Sequence, residues 1–201
     1  MAKFTKVDPT AFQKLQLNAG VICDNFTPGT GTIGNILGAT TGGVSFSATP
    51  TISDYGEDVD NVPNNMMEFM RLDRYEVTMS GTFLTCTPTL VAQLVGAADV
   101  SSTHVTPRNY LLETDFDDVW WVGDYSDVNN DSGTGQSATS AGYIAIHVMN
   151  ALNTGGFNIQ STKDGKGQMS FEFHGHYSLD AQDTVPFEVY VKAGTAPSGT
   201  T

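Results

Sequence analysis

The chain has 201 residues, 39% of them hydrophobic and 10% aromatic, which is enough to bury one sizeable core and suits a single domain. Nine basic residues against 22 acidic give a net charge of −13, which excludes a protein that grips nucleic acid through its phosphates, because that needs a lysine and arginine surface. No apolar run approaches the roughly 18 residues of a membrane-crossing helix. The opening MAKFTKVDPTAF lacks the apolar block of a signal peptide, so the protein is expected to stay in the cell that made it. Cys23 and Cys86 are then expected to be reduced and buried. The 21 glycines, with many Thr, Ser, Asn and Asp, point to an all-β protein rich in turns.

In chain order, a short N-terminal segment leads to a first expected strand at 17–23 (LNAGVIC) and a Gly/Thr-rich loop at 27–43. Residues 44–49 (VSFSAT) alternate, with Val44, Phe46 and Ala48 on one face. The 23 residues that follow, 51–73 (TISDYGEDVDNVPNNMMEFMRLD), have no clear period. They hold Asp54, Glu57, Asp58, Asp60, Glu68 and Asp73 against a lone Arg71, and end in Met66, Met67, Phe69, Met70 and Leu72. Loops this long are uncommon in compact domains unless they are functional. One with apolar anchors it cannot bury reads as an arm that orders against another subunit, with Asp54, Tyr55, Asp58, Asp60 and the five apolar residues as its contacts.

Next comes the first of two matched segments, 74–85 (RYEVTMSGTFLT); the second is 168–179 (QMSFEFHGHYSL). Tyr75, Val77, Met79, Gly81 and Phe83 oppose Glu76, Thr78, Ser80 and Thr82, and Met169, Phe171, Phe173, Gly175 and Tyr177 oppose Ser170, Glu172, His174 and His176. Period two over such a length predicts long strands with one dry and one wet face, as in the wall of a sandwich or barrel. Between them, 87–98 (TPTLVAQLVGAA) predicts the one helix, capped by Thr87, with Pro88 in its first turn and Leu90, Val91, Leu94, Val95 and Ala98 as an apolar stripe. Strands are expected at 119–123, 142–152 and 185–192, and an Asp-Gly turn within 161–167 should join 157–161 to the second long strand. Residues 193–201 read as a loose tail.

Four motifs tempt a chemical reading. Gly29, Gly31 and Gly34 match a dinucleotide loop, but the sequence NILGATTGG that follows will not form the helix such a site needs. Asp127, Asn129 and Asp131 imitate a calcium loop with its glycine one place late and Ala138 at the bidentate position. Glu172, His174 and His176 line one strand face, and His174 with His176 could hold zinc only with a third ligand such as His147 or Glu76; a polar wall face is the simpler reading. Asp117 and Asp118 read as loop charge, and no serine or cysteine carries a nucleophile signature. These residues support neither a catalytic site nor a cofactor.

Taken together, the opening MAKFTKVDPTAFQKLQLNAG, the acidic arm SDYGEDVDNVP, the strand–helix unit RYEVTMSGTFLTCTPTLVAQLVGAAD and the closing KDGKGQMSFEFHGHYSLDAQDTVPFEVYV resemble the major tail (tail tube) proteins of long-tailed bacteriophages and prophages. The likeness runs nearly end to end and lies in the order of the pieces. It implies a single tail-tube domain over 1–192 with a flanking helix, a β-sandwich or barrel whose sheets join between six subunits into an inner β-barrel. Rings would then stack into a hollow tube in the virion tail, assembled in the host bacterial cytoplasm.

Implied partners are further copies of the chain and the tape-measure, tail-tip or baseplate and tail-terminator proteins, with DNA passing through unbound and no membrane involved. The 51–73 arm would reach between subunits, and 124–140 would be a variable outer loop. Six copies of −13 amount to −78 per ring, and Glu76, Thr78, Ser80, Thr82, Glu172 and His174 are the candidate lumen face. Alternation alone leaves open which strand face is core. Two other readings compete: a ring component of a contractile or type VI-like injection system, and a carbohydrate-binding sandwich with Trp120 and Trp121 as a stacking platform.

Overall fold

The computed structural model describes residues 15–125 and 142–193; the opening segment, the acidic loop with Asp127, Asn129 and Asp131, and residues 194–201 lie outside that description. Antiparallel strands dominate, and the one α-helix among the described residues is α1 (Pro88–Val95). The first sheet runs β4 (Ile36–Gly38), β1 (Gln16–Cys23), β9 (Asp117–Tyr125), β10 (Tyr143–Asn153) and β13 (Phe187–Lys192). The second runs β5 (Thr40–Asp54), β6 (Met70–Phe83), β12 (Gln168–Gly175) and β11 (Asn158–Gln160). Two small hairpins complete the set, β2–β3 (Phe26–Thr27, Thr32–Ile33) and β7–β8 (Ala98–Ser101, His104–Pro107). β4 and β5 end the path of paired strands without meeting, so the described strands close no barrel within one chain.

β10 belongs to both sheets. Its first six residues pair with β9 and β13; its register then shifts between Val148 and Ala151, with Asn150 at φ 47°, and Leu152 and Asn153 join β12. A bulge of this kind turns a strand from one layer into the next.

The alternation of the two matched segments places their apolar faces in the core between the layers. Val77, Met79 and Phe83 of β6 and Met169, Phe171 and Phe173 of β12 pack with Ile22, Val119, Trp121 and Val148 of the facing sheet. The glycine the two segments share serves a different end in each. A Cβ on Gly81 would lie 2.7 Å from the Phe171 ring, its cross-strand partner; one on Gly175 would lie 3.0 Å from the Pro186 carbonyl and from Val148.

α1 closes one end of this core with Leu90 and Leu94, its first turn capped by Thr87 Oγ1 accepting from Leu90 N at 3.2 Å. It stops at Gly96 (φ 88°), three residues short of the predicted end, because the left-handed Gly96 terminates it and Ala98 opens β7. Buried Asn153 ties the helix to the sheets: its amide donates to the Leu94 and Gly156 carbonyls at 2.5 and 3.2 Å and accepts from Glu172 N at 2.7 Å.

β9 is buried on both faces, which accounts for its unbroken VWWV run. Val119 and Trp121 face the main core; Trp120 and Val122 face a second, smaller cluster with Cys23, Phe26, Tyr143 and Ala145 under the β2–β3 hairpin. The 27–43 stretch expected as loop therefore supplies β2 in part, β3, β4 and the start of β5. Burial and the neighbouring Asp24 push the Cys23 thiol up to about 11. Cys86, expected to be buried, is exposed.

Candidate functional site

The longest hairpin is β5–β6, paired from Thr40↔Phe83 to Asp54↔Met70. Its outer third runs past the sandwich, and this is the segment the sequence offers as an unpatterned arm. Residues 51–54 and 70–73 are strand, and only 55–69 form the connecting loop. The lost period has a cause. The register steps from Thr51↔Arg74 to Ile52↔Leu72, leaving Asp73 as an extra residue on β6, where it accepts a hydrogen bond from Ser53 Oγ. One extra residue reverses which parity faces the core side. Tyr75, Val77 and Met79 face inward above the bulge; Leu72 and Met70 take that side below it, beside Ile52 and Asp54.

The loop is organised from within. Asp54 accepts from Gly56 N and Asn65 N at 2.8 and 2.9 Å, so it braces the loop instead of facing a partner. Tyr55 N donates to the Phe69 carbonyl at 3.1 Å, the Phe69 ring lies where a Cβ on Gly56 would be 3.2 Å away, and a 3-10 turn spans Met67–Phe69. Phe69, expected as an anchor for a neighbour, is half-buried within its own loop. The remaining apolar residues stay open: Met67 is 80% exposed, Tyr55 59%, Ile52 52% and Leu72 49%, with Val59, Met66 and Met70 also exposed. Asp58 and Asp60 are exposed beside Glu57 and Glu68. Ile52 and Val59 were not legible as part of this surface; only the bulge shows Ile52 facing the same way as Leu72.

The second surface is the outer face of the β5–β6–β12 sheet, where register sets polar residues in rows. Ser45, Ser80 and Glu172 form one, Ser47, Thr78 and His174 the next, Thr41, Thr82 and Ser170 a third, with Thr49 beside Glu76. These rows contain two carboxylates and no lysine or arginine. His174 Nε2 lies 3.0 Å from Glu172 Oε1. The six residues expected to share a face do so, and it is the face turned away from the core.

The structure takes the zinc constellation apart. His176 lies beyond the end of β12, with Nδ1 3.0 Å from the Asn150 carbonyl and Phe116 against its ring. His147 points into the second cluster, stacked on Trp120 at 3.9 Å. Its Nε2 is 3.2 Å from Asp118 Oδ2 but off the line of a hydrogen bond, so that contact is electrostatic only. No group of three metal-ligating side chains comes together among the described residues. Asp117 accepts from Gln93 Nε2 and Asp118 from Asn150 N, so both serve structure and are not free loop charge.

A cleft of about 260 Å³ between Phe116, Asn150, His176 and Ser178 brings no nucleophile to a base. Ser178 Oγ accepts from Asp180 N and Ser178 O from Ala181 N, both within its own turn. Trp120 and Trp121, the proposed sugar platform, are 6% and 9% exposed on opposite faces of β9, and Trp121 Nε1 donates to the Ala19 carbonyl.

One more local device anchors the surface near α1. Arg108 is nearly buried against Asp115, which also accepts from Leu112 N at 2.7 Å. Burial pushes the Asp115 carboxyl up, but the Leu112 amide and the Arg108 guanidinium outweigh it and leave the group below the usual carboxylate range. Arg108 Nε is 2.9 Å from the exposed Asp99 without hydrogen-bond alignment.

The sequence matches no protein-family model and no curated protein. No helix among the described residues is long and apolar enough to cross a membrane.

Proposed function

We propose that this chain is a structural subunit, not an enzyme, that assembles head to tail with copies of itself into rings and a hollow tube of the phage tail type. The observation that carries the reading is the β5–β6 arm, a braced hairpin that runs past its own sandwich and presents Ile52, Tyr55, Met67, Met70 and Leu72 to water. Monomeric proteins seldom expose a contiguous apolar surface of this kind without a partner for it.

The sheet edges support the same reading. Among the described strands β5 and β13 each pair on one side only, and β13 exposes Val189 and Val191. Open edges of that sort aggregate unless something covers them, and a neighbouring copy does so while repeating the contact. The hydroxyl-rich outer face with Glu76 and Glu172 would line the bore. Duplex DNA would be repelled there within a screening length of about 8 Å at physiological salt. Tape-measure, tail-tip and terminator proteins would set where the tube starts and stops.

Negative-stain electron microscopy of the purified chain over a concentration series tests this, with and without a tail-tip seed. Hollow tubes or closed rings are expected. A chain that stays monomeric at every concentration and fails to elongate from the seed would remove the tube reading.

A further inference from the structure

The arm needs a receiving surface, and the charges on the molecule identify one. Its tip exposes Glu57, Asp58, Asp60 and Glu68, none of them in an ion pair among the described residues. A matching surface must offer cations, and the described chain has few to offer. Arg71 and Arg74 stand on the arm's own strand, and Arg108 is held by Asp115. Lys192 lies with Nζ 5.7 Å from the Tyr143 ring centre and 3.5 Å from the Gly29 carbonyl. Among the described residues that leaves Lys163 and Lys166, both exposed in the 161–167 loop between β11 and β12. Beside them Phe157 and Ile159 are 42% and 56% exposed, an apolar strip left open among the described residues.

The position of this pair decides between partners. The second sheet runs β5–β6–β12–β11, so the acidic apolar arm and the basic apolar loop stand at its two opposite ends. Complementary surfaces on opposite ends of one body make a heterologous contact, which repeats from copy to copy and closes as a ring or continues as a filament. We infer that the arm of one copy docks on the β11 edge of the next. Lys163 and Lys166 pair with the acids of the arm tip, and Phe157 and Ile159 meet its exposed methionines. The inference rests on the assembly reading above and names the site on the partner.

Charge exchange in the full chain tests it. Lys163→Glu with Lys166→Glu should raise the concentration needed for assembly about tenfold or more, because like charges facing across a contact are strongly disfavoured. Asp58→Lys with Asp60→Lys should do the same. The chain carrying all four changes, or an equal mixture of the two double variants, should assemble again. Circular dichroism and urea midpoints should match the parent, since all four side chains are exposed.

As a second readout, Asp60→Cys with Lys166→Cys in a Cys86→Ser background should give ladders of linked chains with a short bis-maleimide. If the parent assembles while the lysine variant does so at the same concentration, or the exchanged chain stays monomeric and the dicysteine chain gives no ladders, the docking site is wrong and the tube reading stands. A parent that never assembles overturns both.

Discussion

Gly81 shows how closely single positions are fixed in this sandwich. Its missing Cβ leaves room for the buried Phe171 ring, so Gly81→Ala should cost about 1–3 kcal/mol in urea unfolding, as overpacked cores do. Asn153 satisfies all three of its polar positions on main-chain groups from the helix, a turn and β12. Asn153→Leu would leave those groups without partners in a dry site, and a loss of about 1–3 kcal/mol is expected in the same assay. Asp115 sets a pH dependence. Its carboxyl is depressed in the folded chain, so its contribution is fully present above the ordinary unfolded value of about 3.9 and is lost as pH falls through the folded value. Asp115→Asn should therefore lower stability at pH 7 and narrow the gap to the parent below pH 3, as followed by urea midpoints.

At the scale of elements, the helix and the two long strands were legible because each carries its own local signal. Thr87 caps, Pro88 starts, Gly96 ends, and the strands keep period two. The arm was half legible. Its composition marks a surface that needs cover, but Asp73 breaks the alternation where β6 leaves the sandwich, so strand reads as loop. The β7–β8 hairpin left no signal because its turn places Ser102 at φ 55°, a position where glycine or asparagine would normally announce it.

Since Phe69 packs inside the loop, Met67→Asp and Leu72→Asp are the better probes of the arm. Both should leave the urea midpoint within about 0.5 kcal/mol of the parent, as exposed substitutions do, while abolishing assembly in the microscope. Replacing 55–69 by Asn-Gly should likewise give a folded, cooperative subunit that remains monomeric.

For the whole molecule, the split between dry and wet faces was readable in the alternation, but the second core was not. The VWWV run announces burial without saying that it is shared between two clusters. The net charge of −13 was plain from composition, while its placement needed the register that puts Glu76 and Glu172 in rows of hydroxyls. If that face lines a bore, Glu76→Lys with Glu172→Lys should turn the tube into a salt-sensitive trap. Assembled variant tubes should retain short duplex DNA at low salt and release it as salt rises, whereas parent tubes should retain none. Equal DNA retention by both would place these rows elsewhere than the bore.

The bulge at Asp73 has a bearing on how this segment can change over time. Below it, inside and outside are decided by counting, odd against even, and not by which amino acids are present. Loss of that one residue would only remove the bulge, because Arg74 and Leu72 already take opposite sides, whereas one residue gained between Arg71 and Leu72 would move Met70 to the hydroxyl face and Arg71 to the apolar side. Gain or loss of two residues would keep the facing and alter only the reach. Length variants of the arm below the bulge should therefore survive selection in steps of two, while the bulge itself can be lost in a single step.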